Sequence, residues 1–247
     1  MRRREQAPSR VDATAIFTLP GTGSASASTM SKTDFLVYLV DDDRAVLRAL
    51  TRILEAKGYQ MRPFSSARQF LSEHDASVPG CAIFDVSMPD LDGLELQAAL
   101  ATSGVERPII FITGKGEIPD SVAAMKAGAI DFLTKPVRAR ELLAAIALAS
   151  EKEAKGREHQ SELASINNLI EKLTPREKEV LTHVVAGLLN KQIAARLGIV
   201  EKTVKLHRGR VMQKMGIRTV ADLVRIAERA GIRPSSVNGL GATTRHA

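Results

Sequence analysis

Between Phe35 and Ser150, short apolar runs alternate with stretches whose apolar residues recur at helical spacing. This alternation constrains the fold more than any other feature of the chain. FLVYLV (35–40) reads as a buried strand. Over 44–57, Val46, Leu50, Ile53 and Leu54 repeat along one helix face, and Gly58 ends that helix. YQMRPF (59–64) and ARQFLSEH (67–74) read as a second strand and a short helix. CAIFD (81–85) and a helix containing LELQAAL (94–100) follow, then PIIFIT (108–113) and DSVAAMKAG (120–128). AIDFLTK (129–135) and a helix over 138–150 complete the series. Strands that alternate with helices form a parallel sheet covered on both faces.

After residue 150 the pattern changes. Residues 151–173 are polar and charged, with one Gly and no Pro, so they read as a helical linker continuing the fifth helix. LTPREKEVLTHVVAG (173–187), NKQIAARLG (190–198), VEKTVKLHRGRVMQKMG (200–216) and TVADLVRIAERAG (219–231) give four helices with short joints. TPRE is a capping box, with Thr174 as cap, Pro175 at the first helical position and Glu177 three residues on. The expected organisation is a disordered extension over 1–33, an α/β domain over 34–150, a helical linker over 151–172, a small all-α domain over 173–231 and a disordered tail over 232–247. Met30, directly before the first patterned segment, is a second candidate start of translation.

Composition removes several function classes. No apolar run approaches the ~18 residues of a membrane helix, so no membrane partner is expected. The basic start, MRRREQAPSR, is followed by no apolar stretch of a secretory signal. The single cysteine, Cys81, makes no intrachain disulfide and no CxxC metal site; it reads as a core residue in a reducing cytoplasm. The net charge of +7 is unevenly spread. Residues 35–150 hold 12 Lys and Arg against 15 Asp and Glu, whereas residues 174–247 hold 14 against 5. A small, strongly basic domain points to a phosphate-backbone partner.

In an open α/β sheet, ligands bind at the carboxyl ends of the strands. The first strand runs into Asp41 and Asp42, the third ends on Asp85, the fourth on Thr113 followed by Gly114, and the fifth on Lys135 before Pro136. Five polar residues therefore meet at one edge. Three carboxylates repel one another, and a hard cation such as Mg²⁺ relieves that repulsion. A carboxylate can also attack phosphorus and form an aspartyl-phosphate. The cation and Lys135 would then neutralise the phosphoryl oxygens, the Thr113 hydroxyl would hydrogen-bond one of them, and Gly114 would leave room.

The strings VDDD (40–43), FDVSMPDLDGLEL (84–96), FITGKG (111–116) and AGAIDFLTKP (127–136) resemble the receiver domain of bacterial two-component response regulators. The resemblance implies a flavodoxin-like, doubly wound sheet of five parallel strands. It implies Asp85 as phosphoacceptor, Asp41 and Asp42 as the acidic pair, and Mg²⁺ on Asp42, Asp85 and the backbone carbonyl of Ser87. It further implies Thr113 and Phe132 as a switch pair, Lys135 as the phosphate contact, and a cis Lys135–Pro136 bond.

In the basic half, NKQIAARLGI to TVKLHRGRV reads as helix–turn–helix with Gly198 at the turn. Its second helix carries Lys202, Thr203, Lys205, His207, Arg208, Gly209 and Arg210, while Val204, Val211, Met212 and Met215 would face the core. Lys191, in the preceding helix, joins the candidate DNA contacts. Gly209 costs an internal helix position ~1 kcal/mol relative to alanine, a cost that close approach to a DNA groove would explain. His207 has no second His or Cys at ligand spacing and reads as a groove or phosphate contact. The string LTPREKEVL…GLLNKQIAARLGI…KTVKLHRGRVMQKM resembles the LuxR-type DNA-binding domain, so the whole chain is similar to the FixJ/NarL response regulators. Ile199-Val200-Glu201 departs from the small or hydroxyl residue usual before the recognition helix, which leaves its capping open.

Three functions compete. The first is a transcription regulator phosphorylated by a sensor histidine kinase, dimerising through its receiver, binding promoter DNA and engaging RNA polymerase. The second is a phosphohydrolase using Asp85 on external substrates; such enzymes need an Asp two residues on, where this chain has Ser87. The third is a DNA-binding protein whose receiver no longer signals, which the complete acid, Thr and Lys set opposes.

Overall fold

The computed structural model describes residues 34–114 and 118–232. The extension over 1–33, residues 115–117 and the tail from 233 lie outside the described residues. The chain divides into two compact units, the first ending at Glu162 and the second resuming at Leu163.

In the first unit, β1 (Leu36–Val40), β2 (Gln60–Phe64), β3 (Gly80–Asp85), β4 (Ile109–Thr113) and β5 (Asp131–Thr134) form one parallel sheet. Its order is β2-β1-β3-β4-β5. The helices between them are α1 (Arg44–Glu55), α2 (Ala67–Glu73), α3 (Gly93–Thr102) and α4 (Ile118–Lys126), and α5 (Ala139–Glu171) follows β5. Strand side chains alternate between faces, so each strand feeds two cores. Val37, Leu39, Cys81, Ile83, Ile110 and Ile112 pack under Leu47, Leu50 and Leu54 of α1 and Leu142 and Ile146 of α5. Tyr38, Val40, Phe84 and Phe111 pack under Phe70 of α2, Leu96 and Leu100 of α3 and Ala124 of α4. The strand β3 is buried along its whole length, its terminal Asp85 included. Pro63, which lacks an N–H, stands on the edge strand β2 opposite Leu39.

One face is mainly aliphatic, and the other carries most of the aromatic rings. On the second, ring contacts run from Tyr38 to Phe70, Phe84, Phe111 and Phe132, with centroid separations of 5.6, 5.2, 6.2 and 6.2 Å. The Arg107 guanidinium lies over the Tyr38 ring at the start of this series, 4.8 Å from its centroid.

The helix α5 runs for 33 residues. Ala149 is its last residue in the sheet core, yet its next turns are also tied to the first unit. Lys152 Nζ donates to the Gly128 carbonyl at 3.0 Å. Glu153 Oε1 accepts from Arg157 Nε at 2.8 Å and from the Gly80 amide at 3.4 Å. Arg157 donates to the carbonyls of Ser77 and Ala76 at 2.8 and 3.1 Å, and Arg107 to those of Asp75 and Val78 at 2.8 and 3.1 Å. Two guanidiniums thus hold four consecutive carbonyls of the α2–β3 loop, backbone acceptors that helix and sheet leave unpaired.

In the second unit, α6 (Pro175–Val185), α7 (Asn190–Leu197), α8 (Glu201–Lys214) and α9 (Val220–Arg229) enclose Val180, Leu181, Ile193, Val204, Val211, Met215 and Leu223. The capping box forms: Thr174 Oγ1 accepts from the Glu177 amide and Glu177 returns the bond to the Thr174 amide. Buried Glu177 also takes Lys214 Nζ at 2.6 Å, and this bond, chiefly, holds its carboxyl below the usual range. Gly198, at φ 63°, makes the left-handed step between α7 and α8. Ile232, assigned from the sequence to the tail, packs against this core.

The α5 clasp generates a prediction. Arg157→Ala removes two charged hydrogen bonds from the loop, and Arg157→Lys cannot restore both. We expect amide exchange over residues 74–80 to quicken about tenfold in each variant, equivalent to ~1.4 kcal/mol of local stability. Hydrogen-exchange mass spectrometry on the full chain checks this; unchanged exchange in Arg157→Ala contradicts it.

Candidate functional site

The carboxyl ends of β1, β3, β4 and β5 bring Asp41, Asp42, Asp85, Thr113 and Lys135 together. Asp41 and Asp85 are 1% and 4% exposed, and Thr113 is fully buried. Asp42 is exposed, yet one oxygen from each of Asp41, Asp42 and Asp85 lies within 4.8 Å of the others. Lys135 Nζ bridges two of the acids, at 2.7 Å from Asp41 Oδ2 and 3.1 Å from Asp85 Oδ2. The third residue of the aspartate run does different work. Asp43 caps α1, its carboxylate accepting the Ala45 amide at 2.7 Å, and its own amide donates to Asp41 Oδ1 at 2.8 Å. The Lys135–Pro136 bond is cis.

The cluster carries more negative than positive charge. Burial pushes the Asp41 carboxyl above its usual 3.8, and bonds from Lys135 and the Asp43 amide offset only part of that. Lys135 is itself partly buried, which opposes its charge, but its bonds to Asp41 and Asp85 outweigh this and hold its ammonium protonated above the ordinary range. Asp85 Oδ1 is buried and accepts no hydrogen bond among the described residues. A buried carboxylate oxygen without a donor, among three converging acids, fits a hard divalent cation.

Gly93 shapes the other wall. A Cβ there would stand 2.4 Å from the Asp85 carbonyl and 3.0 Å from Phe111. The α3 N-terminus therefore closes against the end of β3 only because this residue has no side chain. Asp92 and Glu95 form the capping box that starts the helix. Ser87 is exposed in the same loop, and Gly114 has open space around it. Phe132 is partly buried, its ring tilted against Phe111.

The second unit presents α8. Val204, Val211 and Met215 are buried and Met212 partly so, as the sequence spacing requires. Lys202, Lys205, Gly209 and Arg210 are exposed together, and Lys191 is exposed on α7. Lys205 stands 3.4 Å from Glu201. Thr203 and His207 flank this face, with His207 Nδ1 buried. Arg208 points elsewhere: it donates to Asn190 Oδ1 on α7 at 2.6 Å, tying the two helices together. Val200, at the α8 N-cap, makes no side-chain capping bond. Sequence reasoning missed Leu206 and Gln213, which also lie on the exposed face. The signal was available in their wheel positions, since Leu206 falls outside the Val204–Val211 stripe.

Two family descriptions match the chain: response regulator receiver domain over residues 37–147, and bacterial regulatory proteins, luxR family, over 171–227. Nodulation protein W of Bradyrhizobium diazoefficiens is 46% identical over 204 residues, covering 83% of this chain and 90% of that protein. Transcriptional regulatory protein FixJ of Rhizobium meliloti is 38% identical over 203 residues, covering 82% and 100%. The solved structure of response regulator StyR is 41% identical, covers 80% of this chain and all of that one, and superposes with a TM-score of 0.68. The molecule is thus a phosphorylation-controlled, DNA-binding transcription regulator. It belongs to the response regulators that join a receiver domain to a LuxR-type helix–turn–helix domain, the FixJ/NarL family.

The raised Asp41 carboxyl has a thermodynamic consequence. A folded-state value above the unfolded one means that ionising Asp41 costs stability, a cost that appears as pH rises above about 3.8 and levels off once pH passes the folded-state value. In EDTA at pH 7, Asp41→Asn should therefore melt at or above the parent temperature. Differential scanning fluorimetry checks this, and a variant melting several degrees lower contradicts it.

Proposed function

We propose that Asp85 accepts a phosphoryl group from a phosphohistidine on a sensor histidine kinase. The observation that carries this reading is Asp85 itself, with one oxygen on Lys135 and the other buried without a hydrogen-bond donor among the described residues. An Asp85 oxygen attacks phosphorus; the O–P bond forms as the N–P bond breaks, and the electron pair leaves on the imidazole nitrogen, which is then protonated. Lys135 neutralises the phosphoryl oxygens, and the Thr113 hydroxyl donates a hydrogen bond to one of them. Asp41, Asp42, Asp85 and the Ser87 carbonyl would hold Mg²⁺, which supplies compact positive charge beside the phosphoryl oxygens. Hydrolysis of the aspartyl-phosphate by water, releasing inorganic phosphate, resets the receiver. That self-limited turnover is its only enzymatic act.

The switch follows from burial. Thr113 moves toward the new phosphoryl group, and Phe132, the last ring of the aromatic series, follows. The helix α4 carries Val122 and Met125, 46% and 47% exposed, and with β5 it supplies an apolar face for a homodimer. The dimer sets two α8 helices on paired half-sites of promoter DNA, with Lys202, Lys205 and Arg210 toward phosphates and base edges and Gly209 allowing close approach. Bound there, in the cytoplasm, it engages RNA polymerase.

Labelled acetyl phosphate tests the site without a kinase. We expect labelling of the parent only with Mg²⁺, weak labelling of Asp42→Asn and none of Asp85→Asn. Full labelling of Asp85→Asn refutes the assignment. Sedimentation should find a monomer that becomes a dimer on phosphorylation; the same species in both states refutes the switch. On the DNA side, Gly209→Leu should weaken binding without lowering the melting temperature. Lys205→Ala should cost ~1–3 kcal/mol if Lys205 touches a base, read by fluorescence anisotropy at fixed salt.

A further inference from the structure

A cavity of about 760 Å³ opens beside the α2–β3 loop and the first residue of β4, at the opposite end of the sheet from Asp85. That volume lies in the range of small-molecule sites. Leu100 and Ala101 of α3 and Val105 and Pro108 of the α3–β4 loop give it apolar lining. The extension of α5 supplies Lys152, Glu153, Gly156, Arg157 and Gln160, which recur every three or four residues and so share one helix face. Gly156 stands in the middle of that face. Glycine inside a helix is unfavourable relative to alanine, and packing does not demand it here. No atom lies within 4 Å of where a Gly156 Cβ would stand. The helix thus leaves bare a stretch of cavity wall where an ordinary side chain would fit.

Charge selects the occupant. Arg107, Lys152, Lys155 and Arg157 line the cavity against only Glu106 and Glu153, although residues 35–150 as a whole are acidic. Glu153 is already committed to Arg157 Nε at 2.8 Å and to the Gly80 amide. Arg107 is 7% exposed, and its Nη2 donates to the carbonyls of Asp75 and Val78. Its Nε and Nη1 are buried and find no hydrogen-bond acceptor among the described residues. Burial opposes this charge and pushes the guanidinium below its ordinary range. A buried cation met by carbonyls and no carboxylate leaves positive potential in a wall of low dielectric, where an anion is held more strongly than in water. Lys152 donates to the Gly128 carbonyl, and Lys155 is exposed without an ion pair among the described residues. We infer that this cavity binds a small amphipathic organic anion, a carboxylate or sulfonate on a hydrocarbon or aromatic body. Its charged end is held by Lys152 and Lys155 in the field of Arg107, and its body lies against the apolar lining. Such a ligand touches α3, the α4–β5 loop and α5 together, and its binding needs no phosphoryl group on Asp85.

The test uses 1-anilinonaphthalene-8-sulfonate, an aryl sulfonate that fluoresces in apolar surroundings, titrated into the unphosphorylated full-length protein. We expect saturable binding that octanoate displaces and that octylammonium and inorganic sulfate, at the same concentration, do not. Gly156→Leu puts a side chain into the cavity and leaves every charge in place. It should weaken binding at least about tenfold while melting at or above the parent temperature, since leucine is the better helix former. Lys155→Glu should also weaken binding about tenfold, and Lys155→Arg should retain it. Octanoate should slow amide exchange over residues 100–109 and 150–160. Unchanged binding in Gly156→Leu overturns the site. Unchanged binding in Lys155→Glu, an exposed position whose substitution leaves the core intact, overturns it independently of how Gly156→Leu folds. Displacement by octylammonium as effective as by octanoate overturns the anion preference, and equal displacement by sulfate overturns the apolar half of the site. Protection confined to α4, where Val122 and Met125 are exposed, assigns the dye to that face and overturns the cavity reading.

Discussion

Lys135 holds two carboxylates that the fold has taken out of water. Asp41 and Asp85 end neighbouring strands in the middle of the sheet, where burial opposes their charge, and Lys135 reaches both from the end of β5. Removing two like charges from solvent is tolerable only with a shared counter-charge at hydrogen-bond distance. Here the compensation is incomplete, since burial still keeps the Asp41 carboxyl above its usual value. That shortfall suits a signalling site. An acid cluster fully neutralised by its own lysine would gain little from a cation and give little to an incoming phosphoryl group.

The sheet carries this site at one end and the interdomain helix at the other. Its aliphatic face seats α1 and α5, and its aromatic face seats α2, α3 and α4. The aromatic series runs along the second face from Tyr38, beneath Arg107, to Phe132. Packed rings transmit displacement because they interdigitate at crystal-like density. Beyond Ala149, the Glu153–Arg157 pair ties α5 to the α2–β3 loop, so the hydrogen-bonded contacts of α5 with the receiver extend past residue 147, where its family description stops.

The helix α8 divides its duties by angle. One side closes the core of the second unit, a flank ties α8 to α7 through Arg208 and Asn190, and the outward side carries charge, a glycine and a leucine. Its start has no side-chain cap, because Val200 stands where a hydroxyl or carboxamide would accept an amide bond.

Much of this was legible in the sequence. Periodicity distinguishes strands from helices, a parallel sheet follows from their alternation, and strand ends in such a sheet share one edge. Asp41, Asp42, Asp85, Thr113 and Lys135 were thus legible as neighbours without coordinates, as were the Thr174–Glu177 box and the buried stripe of α8. Local rules cover all of these, because each depends on residues a few positions apart or on a topology that admits few alternatives. Tertiary structure alone decided the rest. It set which acid oxygen Lys135 takes and which is left buried without a donor. It closed Gly93 against the Asp85 carbonyl, aligned the aromatic rings, clasped the α2–β3 loop with Arg107 and Arg157, and turned Arg208 toward Asn190 on α7. Each of these joins residues distant in the chain at contact range, and a contact of that kind is fixed by how whole elements pack, which no local pattern encodes.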